Sequence, residues 1–153
     1  MGIRRSASGA HHALKLHIVA RGKIGRSPEA ELIARYAQRI SWPFAITELP
    51  ETGGKVAELI PPAKVIALDE SGTTMGSSAF AKLLEGWRDS GVREARFLIG
   101  AADGLTPDER ASADLIWSFG AMTWPHLMVR AMLIEQLYRA TSIIAGHPYH
   151  REG

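Results

Sequence analysis

Cysteine is absent from the 153 residues. That removes disulfides, thiolate nucleophiles and every cysteine-based zinc site together, and it fits a reducing compartment. Charge imbalance is nearly absent too: 18 Lys and Arg against 16 Asp and Glu leave +2, with a pI near 9.2. The chain is therefore no histone-like polycation, and any nucleic-acid contact rests on local patches. Long apolar runs are missing. The most apolar late stretch, Leu115 to Val129, is broken by Ser118, Gly120, Pro125 and His126, short of the ~18 uninterrupted apolar residues of a membrane span. Behind Arg4 and Arg5 the positions of a signal-peptide core hold His11, His12, Lys15 and His17 instead. The chain has no helical HExxH pair, no G-x-S-x-G elbow, no P-loop and no dinucleotide fingerprint. A metal site, a serine hydrolase and the commonest nucleotide folds are disfavoured accordingly. These absences lead to an expectation of a cytoplasmic protein with no metal and no membrane attachment.

What is present reads as one domain. At this length a chain buries about 68–70% of its unfolded surface, and 46% hydrophobic with 22% charged residues is a globular composition. Residues 1–13 read as a flexible N-terminal extension or an early start codon, although Met1 to Ser6 also fits the short myristoylation pattern. From Leu14 onward, short apolar runs alternate with amphipathic segments, which predicts an α/β domain over 14–153.

Leu16 to Ala20 is expected as the first strand. Ser27 caps a helix with Pro28 at its first position, and Leu32, Ile33, Tyr36, Ala37 and Ile40 form its buried stripe. Phe44 to Leu49 is the second strand, a short helix fits between Lys55 and Ile60, and Val65 to Leu68 is a buried strand. Asp69 to Gly72 then reads as a polar loop. Ser78 is expected to cap the next helix, whose core face is Phe80, Leu83, Leu84 and Trp87. Ala95 to Ile99 is a strand running into the Gly100 to Gly104 turn, and Thr106-Pro107-Asp108-Glu109 is a capping box. A strand and loop over Ile116 to Trp124 lead to the longest helix, Leu127 to Ala145, closed by Gly146.

Several groupings can carry chemistry. The turn at Gly100 either binds a nucleotide at a strand end or is an ordinary tight connection. Asp69, at another strand end, either accepts from a ribose or caps its loop. Met122, Met128 and Met132 are expected to fill core gaps. The last helix is apolar on nearly every side, which implies burial on more than one face, inside the molecule or against a second subunit. Glu135 and Arg139 stand at i, i+4 as a helical ion pair. Beyond that helix, His147-Pro148-Tyr149-His150-Arg151 either grips a phosphate and a base or is an ordinary terminus, with residues from Tyr149 on adding little to a core.

Taken in order, Leu68-Asp69, Leu98-Ile99-Gly100 with Asp103-Gly104-Leu105, Met122-Thr123-Trp124-Pro125-His126, Arg130, Glu135 to Ala140 and the closing His147 to Arg151 resemble the bacterial RlmH family. Those proteins are 23S ribosomal RNA pseudouridine-N3 methyltransferases of the SPOUT superfamily. The resemblance implies a SPOUT-type α/β sheet with helices on both faces and a C-terminal trefoil knot. It also implies S-adenosylmethionine as cofactor, a homodimer, and 23S rRNA within the assembled ribosome as partner. Carried over by position, the cofactor pocket comprises Leu68, Gly100, Ala101, Gly120, Ala121, Met122, Thr123, Trp124 and Pro125. Arg139, Tyr149, His150 and Arg151 fall where the family holds its target nucleotide, with His150 as the group assisting removal of the N3 proton. Alternatives are a SPOUT enzyme for another RNA position and a non-enzymatic RNA-binding or ribosome-assembly protein. The sequence departs from the family at Gly100-Ala101 and Ala102-Asp103, where Gly-Gly and Pro-Glu are usual. The methyl of Ala101 is expected to crowd a ligand, and a positive φ there would cost about 1–2 kcal/mol.

Overall fold

A computed structural model describes residues 13–152, the side chains of Arg151 and Glu152 excepted. The expectations for residues 1–12 lie outside the described residues. Five strands, β1 (Lys15–Arg21), β2 (Phe44–Leu49), β3 (Ala63–Thr74), β4 (Glu94–Ile99) and β5 (Leu115–Ser118), form one parallel sheet in the order β2-β1-β4-β3-β5. The helices are α1 (Pro28–Arg39), α2 (Ser77–Asp89), α3 (Pro107–Ser112) and α4 (His126–Ala145), followed by a 3-10 turn at Pro148–Glu152.

The handedness of parallel crossovers distributes these elements over the sheet. The steps β1 to β2 and β3 to β4 run one way across it, whereas β2 to β3 and β4 to β5 run the other. Right-handed connections therefore put α1 and α2 on one face, and α3 with the 50–62 connection on the opposite face. Helix α4 packs against both α1 and α2, so it shares their face. The side chains agree. Leu16 pairs with Ala95 and Ile18 with Phe97, which pairs with Ile66 on its other side. These residues make the core with Phe80, Leu84, Leu133 and Leu137 of the helices. Phe80 stacks on Trp117 with centroids 4.2 Å apart and meets Phe97 edge-on at 6.0 Å.

The opposite face is more polar. His17 lies in mid-strand and is only 4% exposed. Its Nδ1 is 2.9 Å from Glu94 and its Nε2 2.7 Å from Thr47, while Arg96 donates to the same Glu94 oxygen at 2.8 Å. Arg21 fastens the coverings of this face to the sheet, donating to Glu109 of α3 and to the carbonyls of Pro50 and Gly53 at 2.8 Å each.

Local signals largely hold. Ser27 accepts from the Ala30 N–H at 3.2 Å with Pro28 at the helix start. The Thr106–Glu109 box is reciprocal, although its helix has six residues. Four expectations fail. No helix forms between Lys55 and Ile60, because this connection must step from edge strand β2 past β1 and β4 to β3, about 14 Å away, and its most apolar residue, Ile60, is 64% exposed. Asp69 to Gly72 is not a loop: β3 continues to Thr74 with a register slip at which Leu68 and Thr73 both pair with Trp117. A Cβ at Gly72 would stand 2.5 Å from the Ile116 carbonyl oxygen, so only glycine lets the two strands approach there. Ser78 does not cap α2. That helix starts at Ser77 behind Gly76, which has no side chain with which to cap it. Finally, Leu32, Met122 and Met128 are 44%, 71% and 39% exposed rather than core residues, because they flank surface cavities.

Candidate active site

The sheet ends in a crevice at the carboxyl ends of β3, β4 and β5, the position where open α/β sheets bind ligands. The cavity measures about 650 Å³, within the range of small-molecule sites. Leu68, Gly100, Ala101, Gly120, Met122, Thr123, Trp124 and Pro125 all line it, so eight of the nine expected cofactor positions meet in one place; Ala121 lies in the same loop but not in the wall. Sequence reasoning did not assign Trp117, Phe119, His126 and Val129 to the site, although they also line the cavity, and nothing in the local pattern distinguishes Trp117, Phe119 and Val129 from core residues.

Each edge of the cavity has a local cause. At Gly100 a Cβ would come within 2.6 Å of the Gly104 backbone, and the Gly104 N–H donates to the Ala101 carbonyl at 2.8 Å to close the turn. The left-handed residue in this turn is Gly104, at φ +99°, and not Ala101. The loop after β5 is tied back to β3. Ser118 Oγ lies 3.1 Å from the Glu70 carbonyl and 2.8 Å from that of Gly120 and accepts from the Gly120 N–H, while the Thr123 hydroxyl donates to Glu70 Oε1 at 2.9 Å. Asp69 accepts from the backbone N–H of Ser71 at 2.9 Å, also contacts its hydroxyl, and pairs with Arg110 at 3.1 Å. Burial opposes ionisation of Asp69, but these bonds outweigh it and hold its carboxyl below the ordinary value.

The tail residues meet in a second place. Glu135 binds Arg139 at 2.8 Å and accepts from the Tyr149 hydroxyl at 2.7 Å. Arg139 lies over the Tyr149 ring, 4.9 Å from its centroid, and its Nη1 is 3.0 Å from His150 Nδ1. Tyr149 also meets Tyr138 edge-on at 4.8 Å and Tyr36 at 3.4 Å between hydroxyls. Burial, with the hydrogen bonds to Tyr36 and Glu135, pushes the Tyr149 phenol up from its ordinary value, so it remains a donor. The bond to Glu135 raises Arg139, which stays charged. Tyr149 is thus packed against the helices, contrary to the expectation that the tail adds little beyond the helix end. Tyr36, Ser78 and Glu135 belong to this cluster, and no local pattern announced Tyr36 or Ser78. The side chain of Arg151 lies outside the described residues.

Cavity and cluster are far apart within the chain. His126 and Val129 of α4 line the cavity, whereas Arg139 holds His150, and thirteen residues of helix rise ~20 Å. Between them runs an apolar groove of about 830 Å³ along α1 and α4, lined by Leu32, Tyr36, Met128, Met132 and Glu135, and sharing Trp117, Phe119 and Gly120 with the cavity.

Comparison with known proteins agrees with this geometry. The family model described as Predicted SPOUT methyltransferase matches residues 14–150. A protein from Sphingopyxis alaskensis named Ribosomal RNA large subunit methyltransferase H is 66% identical over 138 residues, covering 90% of this chain and 97% of its own. Proteins of the same name from Erythrobacter litoralis and Zymomonas mobilis are 61% and 56% identical, covering 90% and 92% of this chain and 99% and 100% of their own. Among solved structures, the SpoU methyltransferase AviRb from Streptomyces viridochromogenes superposes with a TM-score of 0.50 at 12% identity, over 90% of this chain and 62% of that one, a likeness of fold alone. Sheet, crevice and residue match together place this chain in the SPOUT methyltransferase family, in its RlmH branch.

Proposed function

We propose that the protein methylates N3 of a pseudouridine in 23S rRNA of the large ribosomal subunit, with S-adenosylmethionine as donor, as a cytoplasmic homodimer acting on the assembled ribosome. The C-terminal trefoil knot comes with the family's fold. The observation that carries the reading is the convergence of eight family cofactor positions on the crevice at the strand ends. The crevice suits this cofactor. Leu68, Leu105, Met122 and Val129 offer apolar walls, the turn at Gly100 brings backbone close, and the buried Trp117 Nε1 has no hydrogen-bond partner among the described residues.

When bound, the cofactor supplies a methyl group on a positively charged sulfur, open to in-line attack by a nitrogen. The chain's residues orient the acceptor. Holding acceptor and donor in near-attack geometry can supply roughly 7–11 kcal/mol. Arg139 and Arg151 hold phosphate or the oxyanion that develops as the imide proton leaves, Tyr149 offers a face for stacking, and His150 assists removal of the proton. Because a tail ~20 Å away along α4 does not serve its own chain's cavity, a second copy docked on the α1–α4 groove brings its tail there, and the site is composite.

Two measurements test this. Nucleoside mass spectrometry of 23S rRNA from a deletion strain should show one N3-methylpseudouridine lost and restored by the wild-type chain; an unchanged profile sinks the substrate. Calorimetry should find one S-adenosylmethionine per chain; no heat at millimolar ligand sinks the cofactor.

A further inference from the structure

The rim of the cofactor cavity is acidic. Asp69 and Glu70 from β3 and Asp103 from the β4–α3 turn line it, and no Lys or Arg among the described residues does. Asp69 is already answered by Ser71 and Arg110. Glu70 is not. Its Oε1 accepts from the Thr123 hydroxyl, and neither of its oxygens meets a cation among the described residues. The register slip in β3 that Gly72 permits puts this carboxylate on the rim, and the hydrogen bond to Thr123 fixes it against the loop that walls the cavity.

The donor and its product differ by a methyl group and, with it, by the positive charge on sulfur. Every contact to adenine, ribose and amino-acid groups is common to the two and cancels from their ratio of affinities. Only contacts to the methyl group itself and charges near the sulfur distinguish them. Resting on the reading of this cavity as the S-adenosylmethionine site, we infer that Glu70 is a specificity-determining residue: its unneutralised carboxylate favours the sulfonium donor over the uncharged-sulfur product and so favours product exchange.

The test is the isosteric Glu70→Gln, which keeps an acceptor oxygen for Thr123 and removes only the charge. Titration calorimetry of wild type and variant with S-adenosylmethionine and with S-adenosylhomocysteine yields two affinities each. The ratio of donor to product affinity should fall about three- to tenfold in the variant, the size of effect expected from one partly solvated charge, with product affinity within about twofold of wild type. In the wild type that ratio should also shrink as salt rises from 0.05 to 0.5 M, values chosen to shorten the screening length to roughly half of its ~10 Å at 0.1 M or less, and this second readout needs no variant. Equal weakening of both ligands would show that Glu70 acts only by holding the loop, and an unchanged ratio would show no role; either result overturns the inference. If the wild type binds neither ligand, the cofactor reading itself has failed and the inference goes with it. If it binds both with a salt-independent ratio, only the inference falls.

Discussion

A guanidinium has no lone pair with which to accept, so the 3.0 Å contact between Arg139 Nη1 and His150 Nδ1 assigns a tautomer. In that contact Nδ1 accepts, which leaves the hydrogen on Nε2, directed at Ser78 Oγ 3.4 Å away. In the role proposed for His150, the lone pair that would remove a proton is the one Arg139 occupies, so that role requires Arg139 to turn away first. Replacing His150 by Ala should lower the methylation rate by about 10²-fold or more, with recovery at alkaline pH. His150→Gln, which hydrogen-bonds but accepts no proton, should be as slow; a Gln variant near the wild-type rate would make His150 a positioning residue only. At Ala101, the turn's left-handed position belongs to its neighbour Gly104, so the methyl carries no backbone penalty of the kind its departure from Gly-Gly suggested. Ala101→Gly should leave S-adenosylmethionine affinity unchanged or tighter by calorimetry, and weaker binding would mean that the methyl packs on the ligand.

Elements whose cause is local were legible in the sequence, and those set by distant partners were not. The Thr106–Glu109 box and the Ser27 cap act within four residues, and both are found. The length and apolarity of α4 foretold a helix with more than one buried face, and its two neighbours α1 and α2 account for part of that surface. By contrast, nothing local to Tyr36 announces Tyr149, 113 positions later, and nothing near His17 announces Glu94. That second pair fixes a property of the whole sheet. Burial lowers the pKa of His17 from 6.5 despite the Glu94 partner, so the unfolded chain takes up its proton first and stability falls as pH drops below about 6.5. Burial opposes ionisation of Glu94, but its bonds to Arg96 and His17 outweigh this and lower its pKa from 4.5. Its contribution is complete above 4.5 and is lost as pH falls further. The melting temperature should decline from pH 7 toward 5 in the wild type and stay flatter in His17→Gln, measured by circular dichroism. Parallel curves would remove His17 from the acid response.

At the scale of the whole molecule, the proposed assembly rests on the distance between cavity and tail. The apolar groove that joins them exposes Leu32 and Met128, a surface that a second copy covers in the composite-site model. Met128→Glu should convert a dimer of twice 16.7 kDa into monomers in light scattering, because an unpaired charge in a closed interface costs several kcal/mol. A Met128→Glu chain that stays dimeric would place the interface elsewhere. Mixing chains tests the shared site more directly. A chain lacking Tyr149 to Gly153 keeps its cavity but gives its partner no tail. It should also melt a few degrees lower, since Tyr149 packs on Tyr138 and Glu135. A Gly100→Ala chain, whose new Cβ meets the Gly104 backbone, spoils its own cavity but keeps its tail. Each variant alone should be inactive. Refolded together in equal amounts, half of the dimers are mixed and each mixed dimer has one intact cavity facing one intact tail, so about one quarter of wild-type activity should return. A tail that served its own chain would give no recovery at any mixing ratio, because neither chain then holds both halves of a site.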